Sequence, residues 1–481
     1  MEVPAHELFQ RLSTSISKLH SGPPPENVLP STNTLSAARS MLHSHLQSQG
    51  VGLEESIRHI QEDLAPAFNS SSRSPNYYGF VTGGATPVAL LADNLVTAYD
   101  QNVQVHLPNE TIATDVEDRA LSLLCELLNF APEQWPHRIF TTDVEISVGE
   151  LGITEAMRKA GIDEIQILTT VPHSSLSKAA SILGLGRTSV KCLGEPDAPH
   201  KFDMQLLKKS LERPGAASIV AISASEVNTG VFATSGLEEM QEMRKLCDMY
   251  GAWIHVDGAF GLFGRILTSP AYSSITQACE GLELADSITG DAHKLLNVPY
   301  DCGFFFSRHR NIAERVFQNP NAAYLASGND ANAIMSPLNI GLENSRRFRA
   351  LPVYANLVAY GKEGYRAMLE RQIELSRGIA RYILETDGYE LLPQHDTPQE
   401  DVVNSIYIIV LFRATDEALN NQLVNKIKAT RKIYVSGTAW DGKPACRFAV
   451  SNWMTNAERD LPIIKQVLQA ILSDKESVQS K

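Results

Sequence analysis

The sequence predicts an α/β protein with a mostly parallel sheet in a large domain and a small C-terminal α+β domain. Two observations support this prediction. Between residues 150 and 310, predicted strands alternate with predicted helices, which is the pattern of βαβ units. After a long helical stretch over Leu351–Leu384, short strands return around one helix. Because such sheets bind ligands at the carboxyl ends of their strands, residues that follow the strands are the candidates for chemistry.

Residues 1–75 are predicted to form a polar N-terminal helical arm. Helical periodicity runs over Thr34–Gln47 and Leu53–Leu64, and a Ser-rich loop follows at 70–75. The arm has little core of its own to cover, so we expect it to pack on another surface. Behind it, helices are predicted over Pro87–Tyr99 and from about Ile112 to Leu128.

The large domain is predicted to span residues 76–340, and the small C-terminal domain residues 341–481. A stretch rich in Gly, Asn and Ala, Gln318–Pro337, reads as a long loop of the lid type. The alternating elements are helix Val148–Ala160, strand Glu164–Thr169, helix Ser175–Leu183, strand Ser189–Cys192, helix Met204–Leu211, strand Ala217–Ser223, helix Gly236–Met249, strand Ala252–Val256, and strands Ser287–Thr289 and Gly303–Ser307. The small domain is predicted to hold a strand Val403–Phe412, a helix Ala418–Ala429, and strands around Ile433–Thr438 and Cys446–Val450.

Charge and cysteine content narrow the class of protein. The formal net charge is −13 and no long Lys/Arg run occurs, which argues against nucleic acid and anionic membranes as partners. The six cysteines are scattered without a CxxC pair, so neither a disulfide framework nor a zinc site is indicated. The N-terminal sequence lacks the pattern of a secretory signal. We therefore expect a soluble protein of the cytoplasm.

A lysine that follows a predicted strand is the first candidate for chemistry. Lys294 stands directly after His293, in a turn that contains Asp291. A strand-end lysine that is shielded from water can have its pKa lowered and form a Schiff base with a carbonyl compound. Most lysines after a strand are solvated surface residues, so this motif gains weight only from its neighbours.

An aspartate at the end of another strand is the second candidate. Asp257 ends the stretch Trp253–Asp257 and is followed by Gly258 and Ala259. Such an acid is commonly a helix N-cap. It can also keep a pyridine nitrogen protonated, so that the ring accepts electrons, and the two small residues would leave room for a flat ring. The spacing of Asp257 and Lys294 fits neighbouring strand ends.

A histidine behind a third strand completes the set. His173 stands between a predicted strand and a predicted helix, on the expected ligand rim. A single histidine is more often a structural residue than a catalytic one. At this position an imidazole could stack on a cofactor ring and exchange a proton.

Taken together, these segments make the sequence resemble the group II pyridoxal-phosphate-dependent amino-acid decarboxylases, which include aromatic-L-amino-acid, tyrosine and glutamate decarboxylases. The resemblance runs from Asn76 to Trp453, and the stretch DAHKLLNVPYDCG resembles the tyrosine-decarboxylase-like branch. The segments that carry it are Tyr78–Pro87, Leu91–Asp93, Val171–Ser175, His255–Ala259, Asp291–Lys294, Tyr300–Gly303, Arg346–Arg349 and Arg447–Trp453.

The resemblance implies a cofactor, pyridoxal 5'-phosphate, and a role for each candidate. Lys294 would hold the cofactor as a Schiff base, Asp257 would pair with the pyridine nitrogen, and Ala259 and His173 would lie against the two ring faces. The residues implied to help hold the phosphate are His293 and Asp291. The implied fold is the type I aminotransferase-like fold, worked as a homodimer, with the arm packed on the second subunit.

The sequence departs from the family pattern at two places. Phe140-Thr141-Thr142 is followed by Asp143 and Glu145, where the family has a Gly-rich loop and a helix that cradle the phosphate. In the predicted lid, Tyr324 is the one tyrosine, and it does not match the family's lid tyrosine. The resemblance implies decarboxylation of an aromatic amino acid to its amine. The departures leave two alternatives: a cofactor-impaired relative that acts as a binding or scaffold protein, or an aldehyde-forming lyase.

Overall fold

The computed structural model describes residues 21–46, 48–141, 152–317, 334–394 and 397–479, with a few isolated positions between 7 and 17. The junction after Thr142, with Asp143 and Glu145, lies outside the described residues. So does Tyr324, with most of the predicted lid.

The helices of the described residues are α1 Thr32–Met41, α2 Leu53–Arg58, α3 Pro87–Tyr99, α4 Ala113–Leu127, α5 Gly152–Ala160, α6 Ser174–Ile182, α7 Met204–Leu211, α8 Leu237–Tyr250, α9 Ser273–Ala278, α10 Ala292–Leu295, α11 Arg310–Phe317, α12 Ala350–Glu385, α13 Gln399–Ser405, α14 Glu417–Asn420, α15 Leu423–Ala429 and α16 Ala457–Gln479.

A seven-stranded sheet forms the centre of the larger part of the chain. Its strands are β2 His137–Thr141, β3 Glu164–Thr169, β4 Val190–Cys192, β5 Ala216–Ser223, β6 Trp253–Asp257, β7 Ser287–Asp291 and β8 Gly303–Ser307. The order is β2-β8-β7-β6-β5-β3-β4, and β8 runs antiparallel to both of its neighbours. The remaining pairs are parallel, which confirms the predicted α/β class.

A second sheet has five strands, and all of its strand pairs except one are antiparallel. It contains β9 Tyr389–Leu392, β10 Ile409–Ala414, β11 Tyr434–Trp440 and β12 Lys443–Ala449, and β1 Tyr77–Tyr78 adds to β11 in parallel. Thus β1, which contains the first residue of the resembling segment Tyr78–Pro87, joins the sheet of the C-terminal part of the chain. Tyr78 is buried there against Phe448, with ring centroids 5.3 Å apart, so its ring packs in the core.

Each sheet has its own hydrophobic core, and helix α12 belongs to both. The first half of this helix, Ala350 to Ile373, packs on the core of the seven-stranded sheet. The second half, from Leu375 to Ile383, packs on the core of the five-stranded sheet. The helix is interrupted at Gly361, whose φ of +55° is a left-handed conformation that glycine adopts without strain.

The predicted strand Val403–Phe412 is wrong in its first half. Residues Gln399–Ser405 form helix α13, and the strand β10 begins at Ile409. Both halves carry apolar residues that are buried, Val403 on the helix and Ile409 to Phe412 on the strand. A short apolar run does not separate a buried helix from a buried strand, which is why periodicity failed here.

The described part of the arm is tied to the five-stranded half of its own chain. Val28 donates its N–H to the Arg431 carbonyl at 2.8 Å, and Arg431 donates its side-chain Nε–H to the Leu29 carbonyl at 2.9 Å. Glu26 pairs with Lys432. Within the described ranges, no helix has the length and apolar character needed to cross a membrane.

Candidate active site

The carboxyl ends of the strands of the large sheet enclose a cavity of about 420 Å³. Register places Ser223 of β5 beside Asp257 of β6, and Asp257 beside Thr289 of β7. Asp291 and Thr141 both lie opposite Gly303 of β8, at the same edge. The volume is in the range of pockets that hold small molecules. Five of the predicted site residues line this cavity: His173, Asp257, Ala259, Asp291 and Lys294.

Lys294 enters the cavity from α10, the one-turn helix that directly follows β7. Its side chain is 18% exposed, and its Nζ lies 2.7 Å from Asp291 Oδ2. The ammonium also lies 5.7 Å from the centre of the Phe260 ring. An ionised carboxylate only accepts hydrogen bonds, so Asp291 acts here as the counter-ion of the lysine. The structure therefore presents a primary amine, held by one carboxylate, in the wall of the pocket.

Asp257 ends β6 with its carboxylate toward the cavity. Its Oδ1 accepts a hydrogen bond from the Ala259 N–H at 3.2 Å, so part of its capping capacity is used locally. Ala259 lines the cavity, but Gly258 does not. A Cβ on Gly258 would come within 2.9 Å of both Leu262 Cβ and the Thr289 carbonyl oxygen. Packing behind the cavity therefore requires a glycine at position 258. The explanation from the sequence, that small residues leave room for a flat ring, can apply only to Ala259.

His255 lines the same cavity and was missed by the sequence analysis as a site residue. Its Nδ1 is 2.8 Å from Ser287 Oγ, and its Nε2 is 3.3 Å from Thr289 Oγ1. Burial lowers the pKa of His255, and the nearby Asp257 acts in the opposite direction. The signal that could have found it is strand alternation, because residues two apart on a strand share a face.

His173 is both a helix cap and a rim residue. Its imidazole Nδ1 accepts the Ser175 N–H at 3.3 Å and lies 2.7 Å from Ser175 Oγ, at the start of α6. The side chain is exposed and lines the cavity. His173 can therefore cap the helix and at the same time be accessible to a ring bound in the cavity.

His293 is not among the residues that line the cavity. Its Nδ1 is 2.9 Å from the Cys302 carbonyl oxygen, and its ring centre is 4.4 Å from that of Tyr300. Burial lowers the pKa of His293. On a helix, neighbouring side chains point about 100° apart, so His293 points in a different direction from Lys294, which does line the cavity.

A turn that follows β5 links the cavity wall to the second sheet. Glu226 lines the cavity, and its carboxylate accepts the N–H groups of Asn228 and Thr229, each at 2.9 Å. Arg447 of β12 donates to the Val227 carbonyl at 2.7 Å. Other cavity residues that the sequence analysis did not assign include Thr141, Ser175, Lys178, Ser223, Ser225, Thr289 and Phe304.

The fold and the site define a class of α/β protein with a lysine amine and a carboxylate at the carboxyl edge of a parallel sheet. The profile described as "Pyridoxal-dependent decarboxylase conserved domain" matches residues 37–403. The chain therefore belongs to the pyridoxal-dependent decarboxylase family, whose members are enzymes that use pyridoxal 5'-phosphate as their cofactor.

Curated relatives and solved structures agree with this assignment. An aromatic-L-amino-acid decarboxylase of Bacillus atrophaeus is 24% identical over 404 residues, covering 82% of this chain and 80% of that protein. An L-2,4-diaminobutyrate decarboxylase of Acinetobacter baumannii is 26% identical over 329 residues, covering 67% of this chain but only 60% of that protein. The crystal structure of Catharanthus roseus tryptophan decarboxylase in complex with L-tryptophan has the same fold, with a TM-score of 0.80 and 17% identity over 98% of this chain and 99% of that chain.

The donor set of the cavity fits the ring half of pyridoxal phosphate. The cofactor needs a primary amine for its aldehyde, a carboxylate for its ring nitrogen and flat surfaces beside its ring. Lys294, Asp257, Ala259 and His173 offer these groups around one cavity. The side chains of Ser223, Ser225 and Thr289 also lie along its wall, and the Ser225 hydroxyl donates to the Gly230 carbonyl at 2.7 Å.

Proposed function

We propose that this chain decarboxylates an aromatic amino acid to the corresponding amine. The observation that carries the proposal is the convergence of Lys294, Asp257 and His173 from three separate strand ends on one cavity. The amine of Lys294 is the group we assign to covalent attachment of the cofactor. When bound, pyridoxal phosphate supplies a ring that accepts the electron pair left when carbon dioxide departs.

The residues of the chain would divide the remaining work. The carboxylate of Asp257 would accept the N–H of the ring nitrogen and keep that proton in place. Asp291, 2.7 Å from Lys294 Nζ, would balance the charge of the amine before the cofactor arrives. His173, exposed on the rim, would cover one face of the ring and is within reach of solvent for proton exchange.

The aromatic preference is supported by two phenylalanine rings in the wall of the cavity, Phe260 and Phe304. The centre of the Phe260 ring lies 5.7 Å from Lys294 Nζ. Rings beside the lysine suit a flat apolar substrate side chain. The Bacillus relative, an aromatic-L-amino-acid decarboxylase, supports the same preference, whereas the Acinetobacter relative is named for L-2,4-diaminobutyrate.

A substrate panel tests the proposal. The full chain, supplied with pyridoxal phosphate, should release carbon dioxide from tyrosine, tryptophan, phenylalanine or 3,4-dihydroxyphenylalanine, with one amine formed for each carbon dioxide. Release from 2,4-diaminobutyrate or glutamate instead would overturn the aromatic assignment. Aldehyde and ammonia in place of the amine would overturn the amine-forming assignment, and bound cofactor without any release would favour a scaffold.

We propose that the chain works as a homodimer with one face of α3 at its interface. The contacts of the arm at Val28 and Leu29 are to its own chain. Leu91, Leu95 and Tyr99 lie four residues apart on α3 and are 63%, 45% and 73% exposed. This spacing puts them on one face of the helix, and Val358 of α12 is also exposed. A stripe of large exposed apolar side chains is typical of an interface.

Leu95→Glu should therefore weaken self-association. A buried carboxylate in the interface would raise the dissociation constant by about 100-fold, because an unpaired charge is costly to desolvate. Light scattering across a concentration series measures it. The matched control is Leu206→Glu, which changes a similarly exposed leucine of α7. A monomeric unmodified chain, or equal masses for both variants, would contradict the proposal.

We further propose the three-part division into an arm of residues 1–75, a large domain of 76–340 and a small domain of 341–481. The two separate cores support two domains, although α12 contributes to both.

We also propose a location in the cytoplasm. Support comes from the six cysteines, which are all free thiols, five of them buried.

A further inference from the structure

The turn that follows Lys294 is held by buried polar side chains. Asn297, three residues after the lysine, is completely buried and has a φ of +54°. A residue with a side chain adopts this left-handed conformation at a cost that surrounding contacts must offset. The contacts of Asn297 therefore show what stabilises this turn after Lys294.

The side-chain amide of Asn297 joins three separate segments. Its Nδ2 lies 2.8 Å from the Gly83 carbonyl oxygen, 3.0 Å from that of Ser451 and 3.3 Å from that of Lys294. Gly83 comes so close that a Cβ there would overlap the Lys294 carbonyl and the Asn297 amide. The backbone of the lysine is thus fixed against the loop before α3 and the segment after β12.

Two residues of α12 bind the next carbonyls of the same turn. Asn356 donates to the Leu296 carbonyl at 2.7 Å and to that of Asn297 at 3.3 Å, and its own oxygen accepts from Thr86. Tyr365 donates its hydroxyl to the Leu296 carbonyl at 3.2 Å. All of these side chains are buried, so water does not replace them. The carboxyl end of α10 is therefore held by buried side chains together with a backbone hydrogen bond, which the Thr86 N–H donates to the Asn297 carbonyl at 3.0 Å.

We propose that Asn297 is a positioning residue, which fixes the backbone of Lys294 so that its amine enters the cavity beside Asp291. Asn356 and Tyr365 support the same turn. The inference rests on the proposed function of Lys294 as the cofactor-bearing residue. Because α10 has only one turn, the amine has no longer helix to hold its base in place.

The test compares two asparagines in the same backbone conformation. Asn297→Gly removes the clamp without adding strain, since glycine adopts a positive φ freely. Asn129→Gly is the matched control, because Asn129 has a φ of +55°, donates to the Arg265 carbonyl at 2.7 Å on the exposed surface and does not line the cavity. Tyr365→Phe deletes one hydroxyl from the clamp and keeps the ring in the core.

The first measurement needs no cofactor. Trace acetylation of the full chain, read by mass spectrometry, gives the reactivity of Lys294 relative to Lys178, which lines the same cavity. Asn297→Gly should raise this ratio by about threefold or more as the pair with Asp291 loosens, Tyr365→Phe should raise it by about twofold, and Asn129→Gly should leave it unchanged. The second measurement is a titration with pyridoxal phosphate, in which Asn297→Gly should bind about tenfold more weakly.

The acetylation ratio decides the inference. An unchanged ratio in both Asn297→Gly and Tyr365→Phe overturns the positioning role, whatever the variants do to the melting temperature. If Asn297→Gly fails to fold, Tyr365→Phe decides by the same ratio. Failure of the unmodified chain to bind pyridoxal phosphate would count against the proposed function, and the acetylation comparison would still stand on its own.

Discussion

Lys294→Ala should eliminate decarboxylation, with a loss of about 10⁴-fold or more, because it removes the amine that the proposed function places at the reacting centre. Borohydride reduction of the cofactor-loaded chain, followed by peptide mapping, should find the pyridoxyl group on Lys294 in the unmodified chain and on no peptide of the variant. The free energy of unfolding should change by less than about 1 kcal/mol, since Asp291 keeps 31% of its side chain in solvent when its partner is lost.

Lys178→Ala is the control for this variant. Lys178 is a second amine in the wall of the same cavity, on the exposed side of α6. Its removal should leave both the adduct and the activity within about threefold of the unmodified chain. An adduct that survives in Lys294→Ala but disappears in Lys178→Ala would show that the wrong amine was assigned.

The sequence predicted the site best where reactive side chains follow the ends of strands. Parallel strands deliver their last residues to one edge, so Asp257 and Lys294 could be placed together before any contact was known. His255 follows from the same logic, since it lies two residues before Asp257 on one strand face. It was missed because the argument from strand ends selects only the last residue of a strand, here Asp257.

Other features depend on contacts that no local pattern encodes. The orientation of His293 away from the cavity follows from the one-turn helix it shares with Lys294, and neither the length nor the start of that helix is evident in the sequence. The clamp of Asn297 joins residues 83, 294 and 451, which periodicity cannot relate. The role of Gly258 was misjudged for the same reason, because the atoms that exclude a side chain there come from Leu262 and Thr289.

Removing the charge of the Asp257 carboxylate is expected to have the second large effect on activity. Asp257→Asn keeps an oxygen that can accept the Ala259 N–H, now at 3.2 Å, so the local cap survives. It removes the negative charge that would hold a proton on the ring nitrogen of the cofactor. We therefore expect the rate of carbon dioxide release to fall by about 10²-fold or more, with little change in melting temperature.

Asp203→Asn supplies the comparison that separates chemistry from capping. Asp203 caps α7, where its carboxylate accepts the N–H groups of Gln205 at 3.0 Å and Leu206 at 2.9 Å, and it does not line the cavity. This variant should lose some stability, about 1 kcal/mol or less, and keep its activity. Asp257→Asn should do the reverse and also change the absorbance spectrum of the bound cofactor, since the protonation of the ring nitrogen determines its electronic state. If both variants lose stability alike and neither loses activity, Asp257 is a helix-type cap and nothing more, and the assignment of the ring nitrogen to this strand end is wrong.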